Sequence, residues 1–230
     1  MFRLDQPIVI TIDGPAGTGK SSVARALAAR LGLDFLDTGA MYRAAAAVAL
    51  DRRLSLGDHA GIVAAAREAE IGFDWSLDPP GLLVFGEIMG ERIRSAAVTA
   101  IVSGVAGIRA LRELMVERQR AIAAKHPRLV TEGRDQGSVV FPDAKVKFYL
   151  DASPAVRAER RARQLEELGQ KVDVAALREE IIARDKSDMG RVDGPLVRPA
   201  GSILIDTSDK SREQVIEELE RQVRELAARA

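Results

Sequence analysis

Residues Gly14-Pro15-Ala16-Gly17-Thr18-Gly19-Lys20-Ser21 satisfy the spacing G-x-x-x-x-G-K-S. Glycines at these intervals let the backbone curl round an anion, so that successive N–H groups aim at phosphate oxygens. A helix opening directly after the loop adds favourable partial charge at its N-terminus. Lys20 is long enough to reach β- and γ-phosphates, and the Ser21 hydroxyl is a hard oxygen suited to Mg²⁺. With Ser22 following, the run Gly14 to Ser22 is the expected binding site of a nucleoside triphosphate. The motif does not say whether water or another molecule receives the phosphoryl group.

Transfer to an acceptor that itself carries phosphate needs cations beyond the loop, because two anions must meet with water excluded. The chain supplies them as Arg43, as Arg134, as Arg157, Arg160, Arg161 and Arg163 on one predicted helix, and as Arg184 with Arg191. The guanidinium fork matches phosphate bidentately. Arg160 and Arg163 are expected on a solvated helix face instead. These clusters favour a transferase over a switch or motor that hydrolyses the triphosphate with water.

Composition sets the limits. Thirty-four basic residues offset thirty-four acidic ones, so the chain has no global attraction for nucleic acid or an anionic membrane, and any anion site must be local. Cysteine is absent, which excludes disulfides, thiolate metal sites and a cysteine nucleophile and suits a reducing compartment. His59 and His126 are expected to be ordinary loop or surface residues. Residues 1–7 include Arg3 and Asp5 and lack the apolar core of a signal peptide. No stretch approaches the roughly 18 apolar residues a membrane span needs. A cytoplasmic location is expected.

Around these residues the hydrophobic pattern places alternating strands and helices. Ile8 to Ile12 reads as a buried parallel strand ending at Asp13. Ser21 to Leu31 reads as a helix stopped by Gly32. Phe35-Leu36 is a short strand, and Ala40 to Leu50 a helix. Residues 71–76 and 82–85 read as a hairpin across Asp78-Pro79-Pro80-Gly81, with Phe73 and Trp75 packing it. A long helix is predicted from about Ala96 to Ala124. Leu129 to Thr131, Val146 to Leu150 and Ser202 to Ile205 are further strands. Asp151, which ends the second of these, is expected in a turn. Ser153-Pro154 and Asp173 start helices, the latter running to about Asp185. Ser211 with Gln214 forms a capping box for a last helix ending near Ala230. The core-facing stripe of that helix, Val215, Ile216, Leu219, Val223 and Leu226, needs no partner, and a monomer is expected. The fold class is α/β, a mostly parallel sheet covered by helices on both faces.

Five segments carry a closer likeness. They are Ile12-Asp13-Gly14-Pro15, Asp37-Thr38-Gly39-Ala40-Met41-Tyr42-Arg43, Glu132-Gly133-Arg134-Asp135, Val139-Val140-Phe141-Pro142-Asp143-Ala144, and Arg184-Asp185-Lys186-Ser187-Asp188. In order and content they resemble bacterial cytidylate kinase, over Ile8 to about Arg191. The resemblance implies one P-loop kinase domain over residues 1–230, with an inserted nucleoside-monophosphate-binding part at about 60–95 and a lid at about 154–170. It implies ATP and Mg²⁺, with CMP or dCMP as acceptor. By motif, Thr38 and Arg43 hold the acceptor phosphate, and Arg134 and Arg191 are further phosphate arginines. Ser103, Arg112 and Asp135 contact cytosine, and Arg184 and Asp188 contact the ribose. The trio is chemically apt. Cytosine N4 donates to Asp135 and Ser103, while N3 and O2 accept from Arg112; uracil inverts the pattern at N3 and position 4. Of Arg157 and Arg161, on the lid helix, one or both are expected to reach the transferring phosphoryl. Asp37 either orients a water on Mg²⁺ or caps the next turn. Two departures stand out: Gln136 replaces the family's usual methionine or isoleucine, and Lys186-Ser187 replaces more charged residues.

Overall fold

In the computed structural model, residues 5–167 and 169–229 are described. Arg3, Leu168 of the expected lid and Ala230 lie outside the described residues. The elements in chain order are β1 (Ile8–Asp13), α1 (Lys20–Leu31), β2 (Asp34–Asp37), α2 (Thr38–Asp51), α3 (His59–Glu68), β3 (Gly72–Asp74), β4 (Gly81–Val84) and β5 (Glu87–Ile88). There follow α4 (Ala96–Ala106), α5 (Arg109–Lys125), β6 (Arg128–Gly133), β7 (Val146–Asp151), α6 (Pro154–Glu167), α7 (Val174–Met189), β8 (Ile203–Asp206) and α8 (Arg212–Arg229). The larger sheet has five strands in the order β2-β6-β1-β7-β8. The pairs β1–β6, β1–β7 and β7–β8 are all parallel. The chain divides into two compact units, Met1–Asp34 with Pro127–Ala230, and Phe35–His126. No helix among the described residues is long and apolar enough to cross a membrane.

The first unit is built on β1. Ile10, Thr11, Ile12 and Asp13 are all inaccessible to solvent, as expected of a strand with parallel neighbours on both sides and helices on both faces. Its register with β6 sets Asp13 opposite Gly133, and its register with β7 sets Asp13 opposite Tyr149. β1 and β6 thereby end at one level, where loops with chemistry begin, and β7 runs two residues further, to Asp151. Gly32 ends α1 in the left-handed conformation, at φ 62°. The Ser211–Gln214 capping box is present: the Ser211 N–H donates to Gln214 Oε1 at 2.8 Å, and the Gln214 N–H to Ser211 Oγ at 3.2 Å.

In the second unit, Asp37 caps α2 and Asp58 caps α3, each side chain accepting a backbone N–H from the first turn. The alanines Ala44 to Ala47 are buried, so α2 is a close-packed centre. The hairpin is present and gains a third strand, in the order β3-β4-β5. Phe73 and Trp75 lie 6.0 Å apart, and Trp75 stacks on His126 at 3.7 Å. The single helix predicted from Ala96 to Ala124 is two helices. Gly107 closes α4 with its N–H on Gly104 O, and Ile108 is extended at φ −73°, ψ 113° before α5 starts. Gly104 and Gly107 make this a weak stretch of helix, so the apolar pattern continues across a backbone turn. Helix α3 lies within residues expected only to belong to the insertion.

One backbone approach fixes the start of the phosphate loop. Gly14 has φ +148°, and a Cβ there would lie 2.0 Å from the Leu150 carbonyl oxygen on β7. Gly14→Ala is therefore expected to cost about 3 kcal/mol or more, measured as a loss of unfolding free energy in urea. A change below about 0.5 kcal/mol would contradict this packing.

Candidate active site

The loop expected to hold phosphate follows β1 and runs into α1, the context its chemistry requires. Gly17 and Gly19 take φ +83° and +87°, a region that L side chains avoid. Lys20 is buried, and its Nζ donates to the Pro15 carbonyl oxygen at 2.6 Å. Thr18 Oγ1 donates to the same oxygen at 3.2 Å, and Ser22 Oγ to Gly19 O at 2.9 Å. Burial and the charges of Arg134 and Arg184 pull the Lys20 ammonium down to about 7, against the opposing pull of Glu132 and Asp13. Cations are thus concentrated beside the loop in a poorly solvated place, where an anion is favoured.

Two carboxylates near the loop were not singled out by sequence reasoning. Ser21 Oγ donates to Glu132 Oε1 at 2.6 Å, which brings two hard oxygens together. The signal was Glu132 at the end of β6, beside Gly133-Arg134-Asp135, but the sequence does not show that β6 pairs with β1. The second is Asp13, which is inaccessible and accepts the N–H groups of Gln136 and Gly137 at 2.7 Å each. Burial pushes its carboxyl up to about 7, even though these two hydrogen bonds pull the other way.

Predicted residues of the first unit cluster on β6, the turn after it, and α7. The carboxylate of Asp188, buried on α7, is shared: Oδ2 lies 3.2 Å from Arg134 Nε and Oδ1 2.5 Å from Arg191. Two expected phosphate arginines are therefore oriented by one acid. Asp135 is buried at the head of a π-helical turn over Gln136–Val140. Arg184 lies half-buried on α7, one residue before Asp185. Gln136 is buried, its Oε1 accepting from Thr131 Oγ1 at 2.9 Å, so the departure from the family pattern is met by a polar partner on β6.

On α6 the arginines separate. Arg157 is buried, donating to Ala152 O and to Ala16 O of the phosphate loop at 2.9 Å each, with Asp185 Oδ2 at 2.6 Å. Arg161 is exposed, 3.5 Å from Gln164 Oε1. Arg163 is exposed as expected. Arg160 departs from the expected solvated face: it donates to Thr207 Oγ1 at 3.0 Å and Thr207 O at 2.5 Å, tying α6 to the loop after β8. Asp151 accepts from the Ala152 N–H at 2.8 Å, a turn contact.

In the second unit, Thr38 is buried at the start of α2. Asp37 Oδ1 accepts from the Ala40 N–H at 2.9 Å, the capping alternative. Arg43 donates to Ile93 O at 3.1 Å and Thr99 Oγ1 at 3.0 Å. Arg112 is buried, donating to Ala106 O at 3.1 Å with its guanidinium 5.5 Å from the Tyr42 ring centre. Ser103 is half-buried on α4.

The Arg157–Asp185 pair has a measurable cost. Arg157→Met leaves a buried carboxylate without its cation, which typically costs about 3–5 kcal/mol. Adding Asp185→Leu is expected to recover a large part of that loss, measured by chemical unfolding. No recovery would show that Arg157 stabilises through its carbonyl contacts instead.

Residues 10–225 match the family model described as cytidylate kinase. A cytidylate kinase of Rhodococcus opacus (strain B4) is 47% identical over 91% of this chain and 91% of its own length. One of Nocardia farcinica (strain IFM 10152) is 44% identical over 95% of this chain and 94% of its own. Among solved structures, an uncharacterised protein from Eubacterium ventriosum ATCC 27560 superposes with a TM-score of 0.52 at 13% identity. It covers 96% of this chain and 99% of that one, a likeness of fold alone.

Proposed function

The chain belongs to the cytidylate kinase family, and from that premise we propose that it transfers the γ-phosphoryl of ATP to CMP or dCMP, giving ADP with CDP or dCDP. The observation that carries the reading is buried Lys20 under a glycine-rich loop, beside Arg134 and Arg184. Such a set favours phosphate over water or a neutral ligand.

In this reading the backbone of Gly14 to Ser22, with Lys20, holds the triphosphate. Arg134 and Arg191, pre-oriented on Asp188, offset charge on the transferring and acceptor phosphates. Thr38 and Arg43 hold the acceptor phosphate. Asp135 and Ser103 accept hydrogen bonds from cytosine N4, and Arg112 donates to N3 or O2. Arg184 and Asp188 contact the ribose. Arg161, exposed on α6, is free of a buried anchor and suited to meet phosphate. Arg157 supports the loop through Ala16 and acts from there. An acceptor phosphate is already anionic near neutral pH, so no general base is required, and catalysis rests on alignment and charge stabilisation.

Mg²⁺ fits the donor set. Ser21 and Glu132 present adjacent hard oxygens, and magnesium characteristically takes one or two protein oxygens together with substrate phosphates. Asp37 caps α2 and is left out of this set. When bound, the ion neutralises charge on the β- and γ-phosphates. The enzyme works as a cytoplasmic monomer of one kinase domain, with residues 60–95 serving the acceptor and residues 154–170 as a lid.

The test is an ADP-release assay with ATP and Mg²⁺ across CMP, dCMP, UMP, AMP and shikimate. CMP and dCMP are expected to turn over fastest, and comparable rates with AMP would overturn the base assignment. Arg112→Met is expected to raise KM for CMP at least about tenfold, the scale of losing one charged hydrogen bond, and KM for ATP by less than about twofold. Equal weakening of both would remove Arg112 from the base site.

A further inference from the structure

Among the described residues, Asp13 is the one fully inaccessible carboxylate at this site to which neither the family motifs nor the reaction gives a role. Its two oxygens accept the N–H groups of Gln136 and Gly137, each at 2.7 Å. These are the first residues of the π-helical turn, which opens directly after Arg134 and Asp135. Such turns are uncommon and are frequently found at functional sites. On its other side Asp13 is followed at once by Gly14 of the phosphate loop. One carboxylate therefore joins the end of β1 to the segment that carries Arg134 and Asp135.

The seat is tight as well as bonded. A Cβ at Gly137 would lie 2.8 Å from Thr11 Oγ1, 3.1 Å from Pro199 Cγ and 3.2 Å from Lys147 Cδ. The turn can approach β1 this closely only with glycine at that position. Lys20 Nζ instead donates to Pro15 O and lies 3.5 Å from Thr18 Oγ1, so Asp13 is not its hydrogen-bond partner.

We propose that Asp13 is a positioning residue for acceptor recognition, its carboxylate fixing the backbone of Gln136 and Gly137 and through it the placement of Arg134 and Asp135. The proposal rests on the acceptor roles given above to those two residues. An amide at position 13 offers one acceptor and turns an NH₂ towards the second N–H, leaving a buried donor unmatched. A small displacement of a binding group costs much in alignment.

The experiment measures steady-state kinetics at pH 8 for wild type, Asp13→Asn and Gly137→Ala, with amide hydrogen exchange on the wild type. Wild-type turnover of CMP is the control for the parent reading; its absence would sink that reading and this one with it. Given turnover, both variants are expected to raise KM for CMP about tenfold or more, leave KM for ATP within about twofold, and narrow the CMP-to-UMP preference. Gly137→Ala keeps the charge at position 13, so a matching split identifies placement of the turn as the cause. A rise in KM for ATP alone in Asp13→Asn, with Gly137→Ala unaffected, would overturn the proposal in favour of a charge effect on Lys20. In the wild type, the Gln136 and Gly137 amides are expected to exchange only through global unfolding. Exchange as fast as that of exposed loop amides would overturn it whether or not the variants fold.

Discussion

A buried ammonium is costly unless anions surround it. Lys20 is 5% exposed, and its burial, with the charges of Arg134 and Arg184, disfavours the charged form. Glu132 and Asp13 offset part of this, yet Asp13 spends both oxygens on backbone N–H groups. Burial is thus the largest part of the cost, and the surrounding charges act on Lys20 in both directions. The parallel sheet holds this buried cation in place beneath the loop.

Much of the remaining architecture follows from holding cations still. Asp188 orients Arg134 and Arg191 at once, and Asp185 does the same for Arg157. Both acids lie on α7, within its last turns. Buried arginine pairs of this kind contribute little net stability, but they fix guanidinium planes in advance, so less ordering remains when a ligand arrives. Arg161 has no such anchor in the interior. On α6 the distinction is one of burial: Arg157 is held in the interior and Arg161 is exposed.

The sequence made the phosphate loop, the parallel strands, the hairpin and the Ser211–Gln214 cap legible because each rests on local chemistry: glycine spacing, β-branched runs, turn residues, a reciprocal side-chain bond. It could not show what depends on pairing between distant segments. Glu132 and Asp13 looked like strand ends until β6 and β1 lay side by side. The break at Gly107 was hidden because apolar residues recur on both sides of it. The π-helical turn has no recognised compositional signal here. Arg160 resembled Arg163 along the helix, and only β8 and its following loop distinguish them. Family motifs pointed to Asp188 and Arg191 as ligand contacts; their mutual ion pair adds that they also organise one another.

The central claim is that Lys20 is held at a cost to the fold that bound phosphate offsets. Comparing thermal midpoints of the wild type and Lys20→Met near pH 7, with and without ATP, addresses it most directly. Thr18 still donates to the Pro15 carbonyl in the variant, so no buried acceptor is left bare. The account predicts a higher midpoint for Lys20→Met in buffer alone and a much smaller gain on adding ATP than the wild type shows. A variant that is less stable in buffer yet gains as much from ATP would contradict it.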